Sequence, residues 1–228
     1  MKMINLAITA AAAALTLTTA LADTTTNINF TANQTVPDAD ANGLVLNGTV
    51  SGLTGDIVSL NVTLDITNGF NGDLYAYLVG PNSGFAVLLN RTGVSNNASA
   101  FGYGNAGFNI TLSDLSANNV HFYQNFGPGY NSGGQLLGTW QTDGRNIDPM
   151  TNAPAAFLAA GQTAMLSSLN GSNPNGTWTL FLADLSSGGT SKVLDWGLIL
   201  TIPEPTTLAL GLCGLALFAA QRARKNRR

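Results

Sequence analysis

The chain has 228 residues, of which 45% are hydrophobic and 9% charged, with one histidine and one cysteine. From Asp23 to Ile202 three cations, Arg91, Arg145 and Lys192, stand against eleven Asp and no Glu, a net charge of −8. So acidic a body lacks the Lys/Arg surface that neutralises phosphates, which argues against nucleic acid and against anionic lipid headgroups; Cys213 is alone, so no intramolecular disulfide forms.

At the N-terminus Lys2 precedes an apolar stretch from Ile4 to Leu17, and Ala20-Leu21-Ala22 places small residues where a signal peptidase reads them. Residues 1–22 are therefore expected to be a signal peptide cut before Asp23 and no part of the fold. Residues 23–202 have the length of one domain, enough to bury about 70% of the unfolded surface. Early in this body, Asp38-x-Asp40-x-Asn42-Gly43 has the spacing that opens an EF-hand-type calcium loop, alternate oxygen ligands followed by a glycine at the sharp turn. The twelfth position is Thr49, so the closing acidic ligand is missing. Two readings stand: a weak calcium site at Asp38, Asp40 and Asn42 completed by carbonyls or another loop, or a solvated turn. No Cys/His cluster points to zinc.

The next segments read as strands. Val58, Leu60, Val62, Leu64 and Ile66 alternate with polar residues, the period of a half-buried strand. Asn68 to Asp73 turns the chain into a strand at Leu74 to Val79, and Gly80 to Gly84 turns it again into Phe85 to Leu89. Further strands are expected at Phe108-Ile110-Leu112, Trp178-Leu180-Leu182 and Leu194-Trp196-Leu198-Leu200. Arg91–Gly107 and Tyr123–Pro149 read as long Gly/Asn-rich loops, and Ala155 to Ala160 as one helical turn or an apolar strand. Short strands between Gly/Asn turns, without a long amphipathic helix, give an all-β two-sheet sandwich. Trp178 and Trp196 fall at inward positions and dominate its core. Asp73 and Asp184, flanked by turns, are read as caps on turn amides.

Catalysis finds little support. His121 lies in "NNVHFYQNF" with no Gly-x-Ser-x-Gly elbow elsewhere, so it reads as a satisfied or exposed loop histidine. Eleven Asp give many pairs, yet the body has no Glu and no glycosidase motif. No catalytic residue is assigned, and no enzyme is expected.

The chain closes on Pro203-Glu204-Pro205, an apolar run of 13 residues from Leu208 to Ala220, and the cations Arg222, Arg224, Lys225, Arg227 and Arg228. That run is shorter than the roughly 17–25 residues of a stable spanning helix. The basic cluster would stay cytoplasmic, leaving everything before Pro203 on the far side. In this order the three parts resemble the PEP-CTERM sorting signal of Gram-negative bacteria. The resemblance implies export by signal peptidase, a membrane-tethered precursor, cutting near the tripeptide by an exosortase, and delivery to the cell surface or beyond; the membrane is met only through residues 203–228.

A second resemblance lies in the body. "IVSLNVTLDITNGFNGDLYAYLVGPNSGFAVLLN", with Gly72-Asp73-Leu74 opening a strand and a turn at Pro81 to Gly84, resembles the first half of the P/Homo B domain that follows the catalytic domain of kexin-like and subtilisin-like proteases. "NPNGTWTLFLADLSSGGTSKVLDWGLILTI", with Asn175-Gly176-Thr177-Trp178, Ala183-Asp184 and Asp195-Trp196, is similar to its closing strands. Val36-Pro37-Asp38 sits where that family often carries a Pro-Asp pair. The match runs over residues 34–202 and is weakest from Arg91 to Ala160. It implies a jelly-roll β-sandwich, galactose-binding-like, of about eight strands. About a dozen residues separate the expected signal cleavage from the start of the match, too few for the catalytic domain, so an endopeptidase label would come by association.

The expected function is that of a non-catalytic exported surface or matrix protein, contributing to adhesion or to an exopolysaccharide or biofilm layer. The alternatives are a protease-associated P domain and a carbohydrate-binding module, with Tyr75, Tyr77, Tyr103, Phe126, Tyr130 and Trp140 as exposed stacking faces and a cell-surface glycan as partner.

Overall fold

The computed structural model describes residues 23–204, together with Gly211, Gly214 and Arg222. Strand β3, Ser59–Thr67, shows most directly how the sequence makes the fold: Leu60, Val62, Leu64 and Ile66 are buried and every residue between them is half-exposed. Alternation at a period of two sends one row into a core and leaves the other to water. The alternation does not extend to Val58, which is 42% exposed. The chain slips by one position there: Ile57 takes the buried place, tied through its N–H to Ser172 O and through its O to Gly171 N.

The other strands are β1 (Asp23–Thr35), β2 (Asp40–Val50), β4 (Leu74–Val79), β5 (Phe85–Asn90), β6 (Gly107–Leu112), β7 (Leu136–Trp140), β8 (Gly176–Asp184) and β9 (Lys192–Pro203). They form a five-stranded sheet in the order β1-β9-β3-β6-β7 and a four-stranded sheet in the order β2-β8-β4-β5. With β7 set aside, the remaining eight strands make a jelly roll, β1-β9-β3-β6 in one sheet and β2-β8-β4-β5 in the other. The described residues thus hold nine strands, one more than the expected eight. The extra strand, β7, pairs with β6 in parallel while every other pairing between named strands is antiparallel. A parallel pair requires a crossover, and residues 113–135 supply it.

The core includes Trp178 and Trp196, both at most 1% exposed, as their inward strand positions predict. The Trp178 indole N–H donates to Pro174 O at 2.8 Å, so its one polar atom is satisfied in the interior. Phe30 of β1 lies 4.4 Å from the Trp196 ring. The inward series of β9 breaks at Leu194, which is half-exposed, because β9 carries a bulge between Val193 and Asp195 against β3. Ala156–Ala159 is a helical turn, which settles that segment. No helix among the described residues is long and apolar enough to cross a membrane.

Candidate functional site

The outer face of the five-stranded sheet forms a trough of about 550 Å³. Strand register aligns its lining in two rows. One row reads Asn29, Gly197, Thr63, Thr111 and Thr139 across β1, β9, β3, β6 and β7. The adjacent row reads Asp195, Asp65, Asn109 and Leu137 across the last four of those strands. Gly197 forms the floor of the first row: a Cβ there would lie 2.7 Å from both Ile28 O and Thr63 Oγ1, and 3.0 Å from Asn29 Oδ1. A side chain at that position would fill the trough and collide with its walls.

Asp65 is held in place from below. Gln135, 7% exposed, donates Nε2 to Asp65 Oδ1 at 2.7 Å and to Ile66 O at 2.9 Å, while Asn109 Nδ2 reaches Asp65 Oδ2 at 3.5 Å. Gln135 itself is fixed by Asn131, whose Nδ2 donates to its Oε1 and whose Oδ1 accepts its backbone N–H. Asp195 and Asp65 are directly opposite in register, and neither makes an ion pair among the described residues. Neither the trough nor this carboxylate pair is visible in the sequence, since the pairing is set by the register of β3 against β9.

The acidic residues picked out by spacing lie elsewhere. Asp40 opens β2 opposite Asp184, and a bulge follows at Gly43, whose φ is +59°. Asn42 turns back on Asp40, its backbone N–H and its Nδ2 both donating to Asp40 Oδ1 at 2.9 Å. Asp38 accepts instead from Gly188 N at 3.4 Å. Asp40 and Asn42 thus close a local turn on each other while Asp38 meets the distant Gly188 loop, and no group of three or more His, Cys, Asp or Glu among the described residues is arranged to hold a metal ion.

Asp73 and Asp184 are both buried. Asp184 caps weakly, its Oδ1 meeting Ser186 N at 3.5 Å and its Oδ2 having no partner among the described residues. Burial, reinforced by the charges of Asp73 and Asp38 and opposed by the Ser186 N–H, pushes Asp184 up to about 6. Burial likewise raises Asp73 above the ordinary carboxylate range, against a hydrogen bond from Ser186 and the charge of Arg91.

His121 is fully buried and satisfied. Its Nδ1 lies 2.8 Å from Asp143 Oδ2 and its Nε2 2.8 Å from Val94 O. Arg145 Nη1 pairs with Asp143 Oδ1 at 3.1 Å, and the guanidinium lies 5.0 Å from the centre of the Phe122 ring. Both ring nitrogens are buried against protein oxygens, so neither is open to a substrate in this conformation. The partners Asp143 and Arg145 carried no sequence signal.

The aromatics divide. Trp140 is only 6% exposed, contrary to its expected role as a stacking face: it points inward from β7, donates Nε1 to Leu137 O at 2.9 Å and lies 6.1 Å from the Tyr123 ring. Tyr75 and Tyr77 are half-buried on the outer face of the four-stranded sheet, Tyr77 stacked on Phe181 at 4.7 Å. Tyr103 is half-buried against Tyr123 at 4.7 Å. Phe126 and Tyr130 remain exposed. Of the sorting residues, Pro203 ends β9 opposite Asp23, Glu204 follows it, and Arg222 is exposed. Ala20, Ala22, Pro205, Arg224, Lys225, Arg227 and Arg228 lie outside the described residues.

No family model matches the chain, and neither does any curated protein. Among solved structures, a serine protease of Aeromonas sobria aligns at a TM-score of 0.43 and 13% identity, over 80% of this chain and 27% of that one. The complex of that protease with its chaperone aligns at 0.39 and 13%, over 81% of this chain and 27% of that one. This chain therefore spans little more than a quarter of the length of the chains it aligns with.

Proposed function

We propose that the chain is an exported, non-catalytic surface protein whose sandwich holds polysaccharide in the trough of its five-stranded sheet, in the layer outside a Gram-negative cell. The trough carries this reading: amides, hydroxyls and carboxylates from adjacent strands face one open space of about 550 Å³. Sugar hydroxyls both donate and accept, which matches that mixture. Short side chains on paired strands lose little freedom when a ligand binds, so hydrogen bonds formed there keep most of their value. The leader at residues 1–22 and the tail at 203–228, similar to a PEP-CTERM signal, support the exported location.

Full-length protein passed over immobilised neutral, amine-bearing and uronate polysaccharides tests this. At least one polymer is expected to be retained, and Thr111→Arg, which puts a long side chain into the trough, should weaken that retention about tenfold or more. Failure of the wild type to hold any polymer would overturn the reading. Release of new reducing ends from the bound polymer would overturn its non-catalytic part and make Asp65 and Asp195 the acid pair to examine.

A further inference from the structure

We infer that the trough selects an amine-bearing polysaccharide, a hexosamine polymer with free amino groups, seating an ammonium between Asp65 and Asp195; this rests on the polysaccharide-binding reading above. The two carboxylates come from neighbouring strands at one register position. Like charges directly opposite on a sheet oppose its formation, so a pair kept there and half-exposed leaves room for a cation to be favoured.

The trough lining includes no cation, and the three cations of the described sandwich, residues 23–204, are placed elsewhere. Arg145 is committed to Asp143 in the interior. Arg91 donates to Gly72 O, Ala100 O and Ser186 Oγ. Lys192 lies on β9 beyond the bulge, opposite Thr67, outside the trough lining and without an ion pair. The same count sets the selectivity. A trough with two carboxylates and no cation repels uronates and sulfated sugars, whereas a positively charged amine gains a charge-assisted hydrogen bond. The lining also includes no aromatic ring, so stacking on a sugar face contributes nothing there. Discrimination falls to hydrogen bonds and charge.

Gln135 is the positioning residue. From its buried place it holds Asp65 Oδ1 at 2.7 Å, and Asp65 Oδ2, met only at 3.5 Å by Asn109, is the freer oxygen. An ammonium has three donors, enough to bridge that oxygen and the Asp195 carboxylate with one donor left for a neighbouring hydroxyl.

The test uses full-length protein and four probes: a β-linked glucosamine polymer, its fully N-acetylated counterpart, a neutral glucan and a uronate polymer. The deacetylated polymer should bind about tenfold tighter than its acetylated twin, the worth of one charge-assisted contact, and the uronate polymer weakest. Asp65→Asn with Asp195→Asn, near-isosteric at half-exposed positions, should erase the preference while leaving neutral binding; circular dichroism confirms the fold. Equal affinity for acetylated and deacetylated polymers overturns this inference and leaves the polysaccharide reading standing. A preference that survives in the double variant places the amine elsewhere and also overturns it. So does a preference abolished by chelator, which would mean that a bound divalent cation bridges the carboxylates to the sugar. Absence of binding to all four probes removes both readings.

Discussion

Asp184 shows how much one buried carboxylate tunes this protein. It ends β8 fully buried, and its Oδ2 finds no hydrogen bond among the described residues. Its ordinary value in an unfolded chain is about 3.9, and burial pushes it up to about 6 in the folded protein. Between those values the native state holds a proton that the unfolded chain has released. Stability from this group is therefore fully present below about pH 4 and is lost as pH rises through about 6. Asp73, also raised by burial, acts in the same direction. Asp184→Asn cannot ionise, so its stability relative to the wild type should improve from about pH 4 to about 6 and level off by pH 7, whatever constant offset the amide introduces. Urea unfolding of both proteins across that range reads it, and a difference independent of pH would refute the account.

At the scale of elements, strands with a dense apolar row were readable and those with a sparse one were not. β3 alternates through nine residues without exception, and β4, β5, β6, β8 and β9 each carry enough inward Leu, Ile, Phe or Trp to announce themselves. β1 is thirteen residues long, but the apolar residues it offers are Ile28, Phe30 and Ala32, all half-buried, because it lies at a sheet edge. β2 opens on a bulge at Gly43 and alternates in burial only from Val45, with a glycine at the inward position 48 and Val45 exposed, while β7 has the exposed Leu137, Gly138 and Thr139 between two buried residues, so neither carries a clear apolar period. The acidic trough pair and the buried ion cluster were hidden for a related reason: each is assembled by contacts distant in sequence. That cluster ties three irregular segments together: His121 comes from the β6–β7 crossover, Asp143 and Arg145 from the chain after β7, and Val94 from the chain after β5. Asp143→Ala would leave an imidazole and a guanidinium facing a void with their partner removed. Loss of one member of a buried ionic group costs about 3–5 kcal/mol. Chemical denaturation should show a loss of that size, nearly the same at low and high salt because the three side chains are buried; a loss below about 1 kcal/mol would mean that the cluster contributes no more than a surface pair.

For the whole molecule, charge sets two responses to salt that run in opposite directions. The body from Asp23 to Ile202 carries a net charge of −8 with His121 counted neutral, and the Lys/Arg–carboxylate pair among its described residues, Arg145 with Asp143, lies in the interior. Added salt has no described surface pair to weaken and little access to the buried one, so its electrostatic effect on the fold is to screen repulsion between exposed carboxylates such as Asp23, Asp38, Asp56 and Asp148. The screening distance falls from about 30 Å at 0.01 M to about 8 Å at 0.15 M. Relief of about 1 kcal/mol over that interval would raise the melting temperature by about 2–4 °C in a domain of this size. The same screening weakens the attraction of the trough for an ammonium, so the preference for the deacetylated polymer should shrink while the fold grows firmer. Melting curves and polymer binding measured on one preparation at both concentrations separate the two effects. A melting temperature that falls with sodium chloride would show that attractive surface pairs dominate the native state, contrary to the charge distribution described here.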